Sequence, residues 1–197
     1  VPADGSSPPV KLNGPLDLGP PAGDVSSFRF SPDGSRFVYR ADGDVDQRFQ
    51  LYGGSTAGGE PIVSLSDVSA SVVDLGFPEP EWSYSPDGAR VLFIGTSPDL
   101  GTRLYSTASD GSTSPVQLSG GSAVNMEKPV LDPGGENVVF IDGQGLYVAP
   151  VQGGSPPRLL SGSLPFPGNP LVSPDGRQVV FLSRESPSSS ARARVYT

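Results

Sequence analysis

The chain has 197 residues, enough for one domain that buries roughly 70% of its unfolded surface without covalent staples. It holds no cysteine and no histidine, which removes disulfides, thiolate sites, the commonest general base and the commonest metal ligand. A net charge of −8 is the wrong sign for a nucleic-acid binder, no apolar stretch is long enough to span a membrane as a helix, and the N-terminus does not read as a signal peptide.

In chain order the elements are short strands punctuated by 26 glycines and 23 prolines. The opening VPADGSSPPVKL carries a glycine turn, Asp4-Gly5-Ser6, and a strand at Pro9–Leu12. A first repeat then predicts strands at Ser27–Phe30, Arg36–Arg40, Phe49–Tyr52 and Pro61–Leu65. A second gives Glu81–Tyr84, Arg90–Ile94, Arg103–Ser106 and Pro115–Leu118, and a third Lys128–Leu131, Asn137–Ile141, Leu146–Ala149 and Pro157–Leu160. The fourth has Asn169–Val172, Gln178–Leu182 and Ala193–Thr197, and its missing last strand is the Pro9–Leu12 that opens the chain. In each repeat the first two strands are joined by Ser31-Pro32-Asp33-Gly34, Ser85-Pro86-Asp87-Gly88, Asp132-Pro133-Gly134-Gly135 or Ser173-Pro174-Asp175-Gly176. Proline presets φ, aspartate caps nearby N–H groups and glycine supplies the positive φ of a type I turn with a bulge. Asp33, Asp87 and Asp175, with Gly34, Gly88 and Gly176, are therefore structural turn residues. The third copy, lacking the aspartate at its third position, is expected to keep the turn but lose a side-chain cap.

Four-stranded antiparallel units repeated at this period predict an all-β fold, a β-propeller of four blades at about 27–65, 81–118, 128–160 and 169–197 plus 9–12. The motif resembles the TolB-type, WD-like propeller repeat family. The residues that carry it are Phe30–Gly34 with Phe37–Tyr39, Tyr84–Gly88 with Val91–Phe93, and Val172–Gly176 with Val179–Phe181, each followed by Leu-Tyr or Val-Tyr. The resemblance spans the whole chain. It implies a propeller in a family of protein-binding periplasmic domains, peptidase gating domains and surface proteins, hence a bacterial periplasmic or extracellular setting. Proline spacings of 54, 47 and 41 residues, and 55 through the termini, keep the chain in phase around a circle. That phase fits a single four-bladed ring, part of a larger ring, or a homodimer completing one.

Turns within strand pairs one–two and three–four are short, while the two–three loops and the blade connections are long. The long ones are Ala41–Arg48, Gly95–Thr102 and Ser183–Arg192 within blades, and Asn13–Ser26, Ser66–Pro80, Ser119–Glu127 and Ser161–Gly168 between them. Long loops on a rigid scaffold are where binding residues concentrate, and these, with the two–three turn of the third repeat at Asp142, hold 12 of the 21 acidic residues. Candidate partner-binding residues are Asp42, Asp44, Asp46, Phe77, Glu79, Glu81, Glu127 and Phe166. Asp42, Asp44 and Asp46 imitate the start of a calcium loop, but Gln47 replaces the turning glycine and no glutamate closes it, so no metal is expected. Trp82, in phase with Phe28, reads as inter-blade packing. Without histidine, and with no Gly-x-Ser-x-Gly elbow or Ser-x-x-Lys pair, the chain reads as non-enzymatic and free of cofactors. The leading expectation is a scaffold for a protein or peptide partner, a basic one being suited to the acidic loops. The alternatives are the regulatory propeller of a prolyl-oligopeptidase-like serine peptidase, and a glycan-binding or glycosidase propeller.

Overall fold

The computed structural model describes residues 3–14, 23–43, 48–68, 71–72, 82–97, 101–120, 128–143, 145–188 and 192–197. Its first sheet is β1 (Val25–Phe30), β2 (Arg36–Ala41), β3 (Gln50–Ser55) and β4 (Val63–Ser64), antiparallel and in chain order. A small hairpin, β5 (Asp67–Val68) with β6 (Ser71–Val72), lies in the connection expected to be loop. The second sheet is β7 (Trp82–Tyr84), β8 (Arg90–Ser97), β9 (Gly101–Ala108) and β10 (Val116–Gln117). The third is β11 (Val130–Leu131), β12 (Asn137–Asp142), β13 (Gly145–Pro150) and β14 (Arg158–Leu159). The fourth has three strands, β15 (Pro167–Val172), β16 (Val179–Arg184) and β17 (Ala193–Tyr196).

Side-chain alternation along the two middle strands gives every blade an aromatic back and an aliphatic front. Trp82, Val91, Phe93 and Tyr105 on the back of blade 2 pack against Val38, Leu51 and Leu65 on the front of blade 1. Leu92, Ile94, Leu104 and Leu118 meet Val138, Phe140 and Tyr147 of blade 3, and Val139, Ile141 and Leu146 meet Val179, Phe181 and Tyr196 of blade 4. A cross-strand ring stack recurs at one repeat position: Tyr39–Tyr52 at 5.4 Å, Phe93–Tyr105 at 5.3 Å, Phe140–Tyr147 at 6.0 Å and Phe181–Tyr196 at 5.9 Å. Burying each such side chain contributes about 1.5–3 kcal/mol, so the three inter-blade seams form the core together with a fourth buried cluster, Phe37, Tyr39 and Ala41 on the back of blade 1. Trp82 is buried in the first seam, as its phase with Phe28 predicts.

The outer strands pair through only two residues each, and one device extends all three. Leu65, Leu118 and Leu160 donate their N–H to the carbonyls of Leu51, Leu104 and Leu146 at 2.7–2.8 Å. The next residue is serine every time. The Oγ atoms of Ser66, Ser119 and Ser161 accept the N–H of the same Leu51, Leu104 and Leu146 at 3.0, 3.0 and 3.1 Å. A side chain thus supplies the ladder's last acceptor where the backbone turns away from the sheet.

The expected completion of blade 4 by Pro9–Leu12 is not made within this chain. That segment is exposed and lies in no strand, and β17 is the outermost strand of its sheet. Among the described residues no hydrophobic cluster joins blade 4 to blade 1, so no seam of the kind that joins the other blades holds the segment against β17.

Candidate functional site

The short-turn end of the blades is chemically self-contained. Gly34, Gly88 and Gly176 have φ of +72°, as the turn demands, and each donates its N–H to the carbonyl of Ser31, Ser85 or Ser173. Each of those serine hydroxyls donates to the aspartate two residues on, and accepts the N–H of Arg36, Arg90 or Gln178. The same carboxylates accept the N–H of Ser35, Ala89 and Arg177. Hydrogen bonds from Ser31 and then Ser35 hold the Asp33 carboxyl down at about 2, and those from Ser85 and Ser173 lower Asp87 and Asp175. These acids are occupied by their own turns.

The third turn keeps its shape by another route. Asp132, standing where the others have serine, accepts the Glu136 N–H on Oδ1 and the Asn137 N–H and Nδ2 on Oδ2. The expected loss of a cap is therefore corrected: the carboxylate has moved from the third turn position to the first. Successive turns also nest. A Cβ on Gly88 would meet Pro32 at 3.1 Å, and one on Gly135 would meet Pro86 at 3.0 Å.

At the opposite end the structure redraws the expected loops. β8 and β9 pair as far as Ser97 with Gly101, and the Thr96 and Thr102 hydroxyls bond at 2.9 Å, so most of the Gly95–Thr102 loop is strand. Asp42, expected to face a partner, is buried, and its Oδ1 accepts the Asp24 N–H, which ties the end of β2 to the start of β1. Asp44, Asp46, Phe77, Glu79, Glu81 and Glu127 lie outside the described residues. Among the described residues no group of three or more carboxylates is placed to hold a metal ion.

Phe166 is half-buried between Pro165 and Pro167 with φ +46°, and Asn169 follows with φ +50°. Left-handed backbone is rare for a residue of this size and costs on the order of 1–3 kcal/mol. It is held by its surroundings: the Ser183 hydroxyl donates to the Pro165 carbonyl at 2.6 Å, and the Arg184 N–H donates to the Phe166 carbonyl. Ser183, buried at the end of β16, carries no sequence signal for this role. A cleft of about 580 Å³ opens between blades 3 and 4, lined by Asp132, Arg158, Gln178, Phe181 and Thr197. Its signal in the sequence is Arg158, which takes the repeat position held by Val63 and Val116.

Four antiparallel sheets stacked through their faces are shared with solved structures. The chain is similar to a TolB-designated protein of Agrobacterium tumefaciens at 22% identity and TM-score 0.52, over 85% of this chain and 59% of that one. The fold is that of a β-propeller. A prolyl endopeptidase matches at 19% identity and TM-score 0.53, over 87% of this chain and 26% of the other. The β-propeller domain of the Trilobed protease from Pyrococcus furiosus matches at 8% identity and TM-score 0.53, over 88% and 53%. This chain thus spans less than two thirds of each of these proteins. No family model and no curated protein matches it in sequence.

Proposed function

We propose that this propeller is a non-catalytic scaffold that takes a protein or peptide partner on the end carrying the long loops. The observation that carries the reading is the contrast between the two ends. At the short-turn end every turn aspartate is spent on its own backbone. At the other end Phe166 is held in an uncommon backbone conformation beside the longer connections. Strain that the surroundings sustain is a mark of sites selected for something other than stability. The acidic residues in the loops of that end would attract a basic segment, raising association rates at low salt and losing that gain over a Debye length of about 8 Å at physiological ionic strength. The family resemblance of the repeat supports a bacterial periplasmic or extracellular setting.

The test is to recover a partner by pull-down and titrate it against three sets of variants. Phe166→Ala, and Asn or Gln replacements of Asp44, Asp46, Glu79, Glu81 and Glu127, should weaken binding. Asp33→Asn, Asp87→Asn and Asp175→Asn should leave it intact. Binding lost only in the last set places the partner on the other end. Likeness to a prolyl endopeptidase and to a protease propeller favours a second reading, a peptidase's accessory propeller. That reading is favoured if the chain binds a peptidase's catalytic domain rather than an independent partner.

A further inference from the structure

The first strand of each blade carries one pair of repeat positions, three and two residues ahead of the turn. They hold Phe28 and Arg29 in blade 1, Trp82 and Ser83 in blade 2, Pro129 and Val130 in blade 3, and Pro170 and Leu171 in blade 4. Across a seam, the later residue of one blade meets the earlier residue of the next. Seam 1 shows both positions filled: the Arg29 guanidinium lies over the ring of buried Trp82, 5.3 Å from its centroid. The chain thus carries its own example of a cation on an aromatic face between two blades.

Seam 3 has the same two positions and neither side chain. Val130 stands for the arginine and Pro170 for the tryptophan, and both are shorter than the residues they replace. A groove of about 490 Å³ opens there, lined by Lys128, Val130, Asn169, Pro170 and Leu171. Seam 2 also lacks the pair, with Ser83 and Pro129, but Trp82, Phe93 and Leu104 wall in what is left, about 10 Å³. Seam 3 differs by a bend in β15. Gly168 pairs with Leu182 and Leu171 with Val180, so Asn169 and Pro170 share the one position opposite Phe181, and Asn169 takes φ +50°. A bulge of this kind bends its strand and re-aims the side chains beside it.

The volume of the groove falls within the range of about 300–1,000 Å³ common to small-ligand sites. Pro170 is buried and Val130 half-buried, which makes them floor and wall, while Lys128 is exposed at the rim. Among the described residues no carboxylate pairs with the Lys128 ammonium. A cation above an apolar floor is the arrangement of seam 1 with the ring taken away. Lys128 and Asn169 stand where the long connections enter blades 3 and 4, at the same end as Phe166.

We infer that this groove takes an aromatic side chain of the partner, seated on Pro170 and Val130, with the Lys128 ammonium over its ring as Arg29 is over Trp82. The inference rests on the reading of the chain as a peptide-binding scaffold and names the side chain that such a partner contributes. Aromatic anchors in pockets are also what carries most protein interfaces.

The experiment uses the 197-residue chain and a probe that needs no partner, N-acetyl-tryptophanamide, titrated while backbone amide NMR shifts are followed. Saturable shifts should centre on Lys128, Val130 and Leu171. No shifts up to the solubility of the probe, or shifts centred elsewhere, overturn the inference. The cyclohexylalanine analogue should bind more weakly, and equal binding overturns the role of the ring face. Lys128→Ala should weaken the probe about two- to fivefold, the size of a cation–π contact at an exposed site, and Lys128→Arg should restore it. Unchanged binding by Lys128→Ala overturns the role of the cation, and this exposed position does not put the fold at risk. Pro170→Trp should fill the groove from within and abolish probe binding. A recovered partner that binds Pro170→Trp as tightly as the parent removes the groove from the interface and leaves the scaffold reading intact.

Discussion

Replacing Ser119 with alanine removes one oxygen and leaves the backbone free to stay as it is. Ser119 is buried, and its Oγ is the acceptor for the Leu104 N–H at 3.0 Å on a strand whose side chain is itself fully buried. A methyl group cannot take that bond, and the position is too enclosed for bulk water to replace it. Leaving a buried donor unsatisfied costs about 1–3 kcal/mol. For a chain of this size that lowers Tm by roughly 2–4 °C per kcal/mol. Urea unfolding can be followed through Trp82, the lone tryptophan, which is buried in the first seam and becomes exposed on unfolding. The midpoint should fall while the slope stays constant. Ser66→Ala and Ser161→Ala should act alike, whereas Ser112→Ala, on an exposed turn, should be nearly silent. A Ser119→Ala midpoint within error of the parent would refute the idea that these hydroxyls close the sheets.

Asp33, Asp87 and Asp175 have carboxyls lowered in the fold, so the stability they add is complete above the unfolded value of about 3.9 and is lost as pH falls through the folded one, about 2 for Asp33. Acid unfolding between those limits should flatten in the triple Asp→Asn variant, and a parallel curve would count against the turn bonds. Gly135→Ala should destabilise more than Gly34→Ala: both sites have φ just above +70°, but only Gly135 meets a proline, at 3.0 Å. Equal melting temperatures would show that the nesting of turns carries no weight. Asp132→Ala should cost about 1–2 kcal/mol by freeing the Glu136 and Asn137 donors, and Asp132→Ser with Gly134→Asp should recover most of it. A chemical denaturation series on the two variants decides the point.

The turns and strand centres were legible because their chemistry is local: Ser-Pro-Asp-Gly sets its own dihedrals, and Val-Leu-Phe runs announce a sheet buried on both faces. Strand ends were not. Thr96 and Thr102 read as loop residues, and only the cross-strand bond between them shows that β8 and β9 continue. Asp42 illustrates the limit for the candidate site: an aspartate among aspartates reads as solvated charge, and its burial against Asp24 arises from a contact 18 residues away in sequence. Phe166 was legible as an aromatic on a connection between prolines. Its left-handed backbone depends on Ser183 and Arg184 of the neighbouring strand, which no local pattern encodes.

The serine that ends each outer strand also frees the chain beyond it. Because the hydroxyl supplies the last acceptor, the backbone can leave after two paired residues and owes the sheet nothing further. The next blade begins at Trp82 after Ser66, at Val130 after Ser119, and at Pro167 after Ser161, three detours of very different length from the same exit. The strand ladder ends at that serine, so insertions beyond it should leave the pairing within each blade untouched. A lineage carrying this repeat can therefore vary its connecting loops widely while the scaffold beneath them stays fixed.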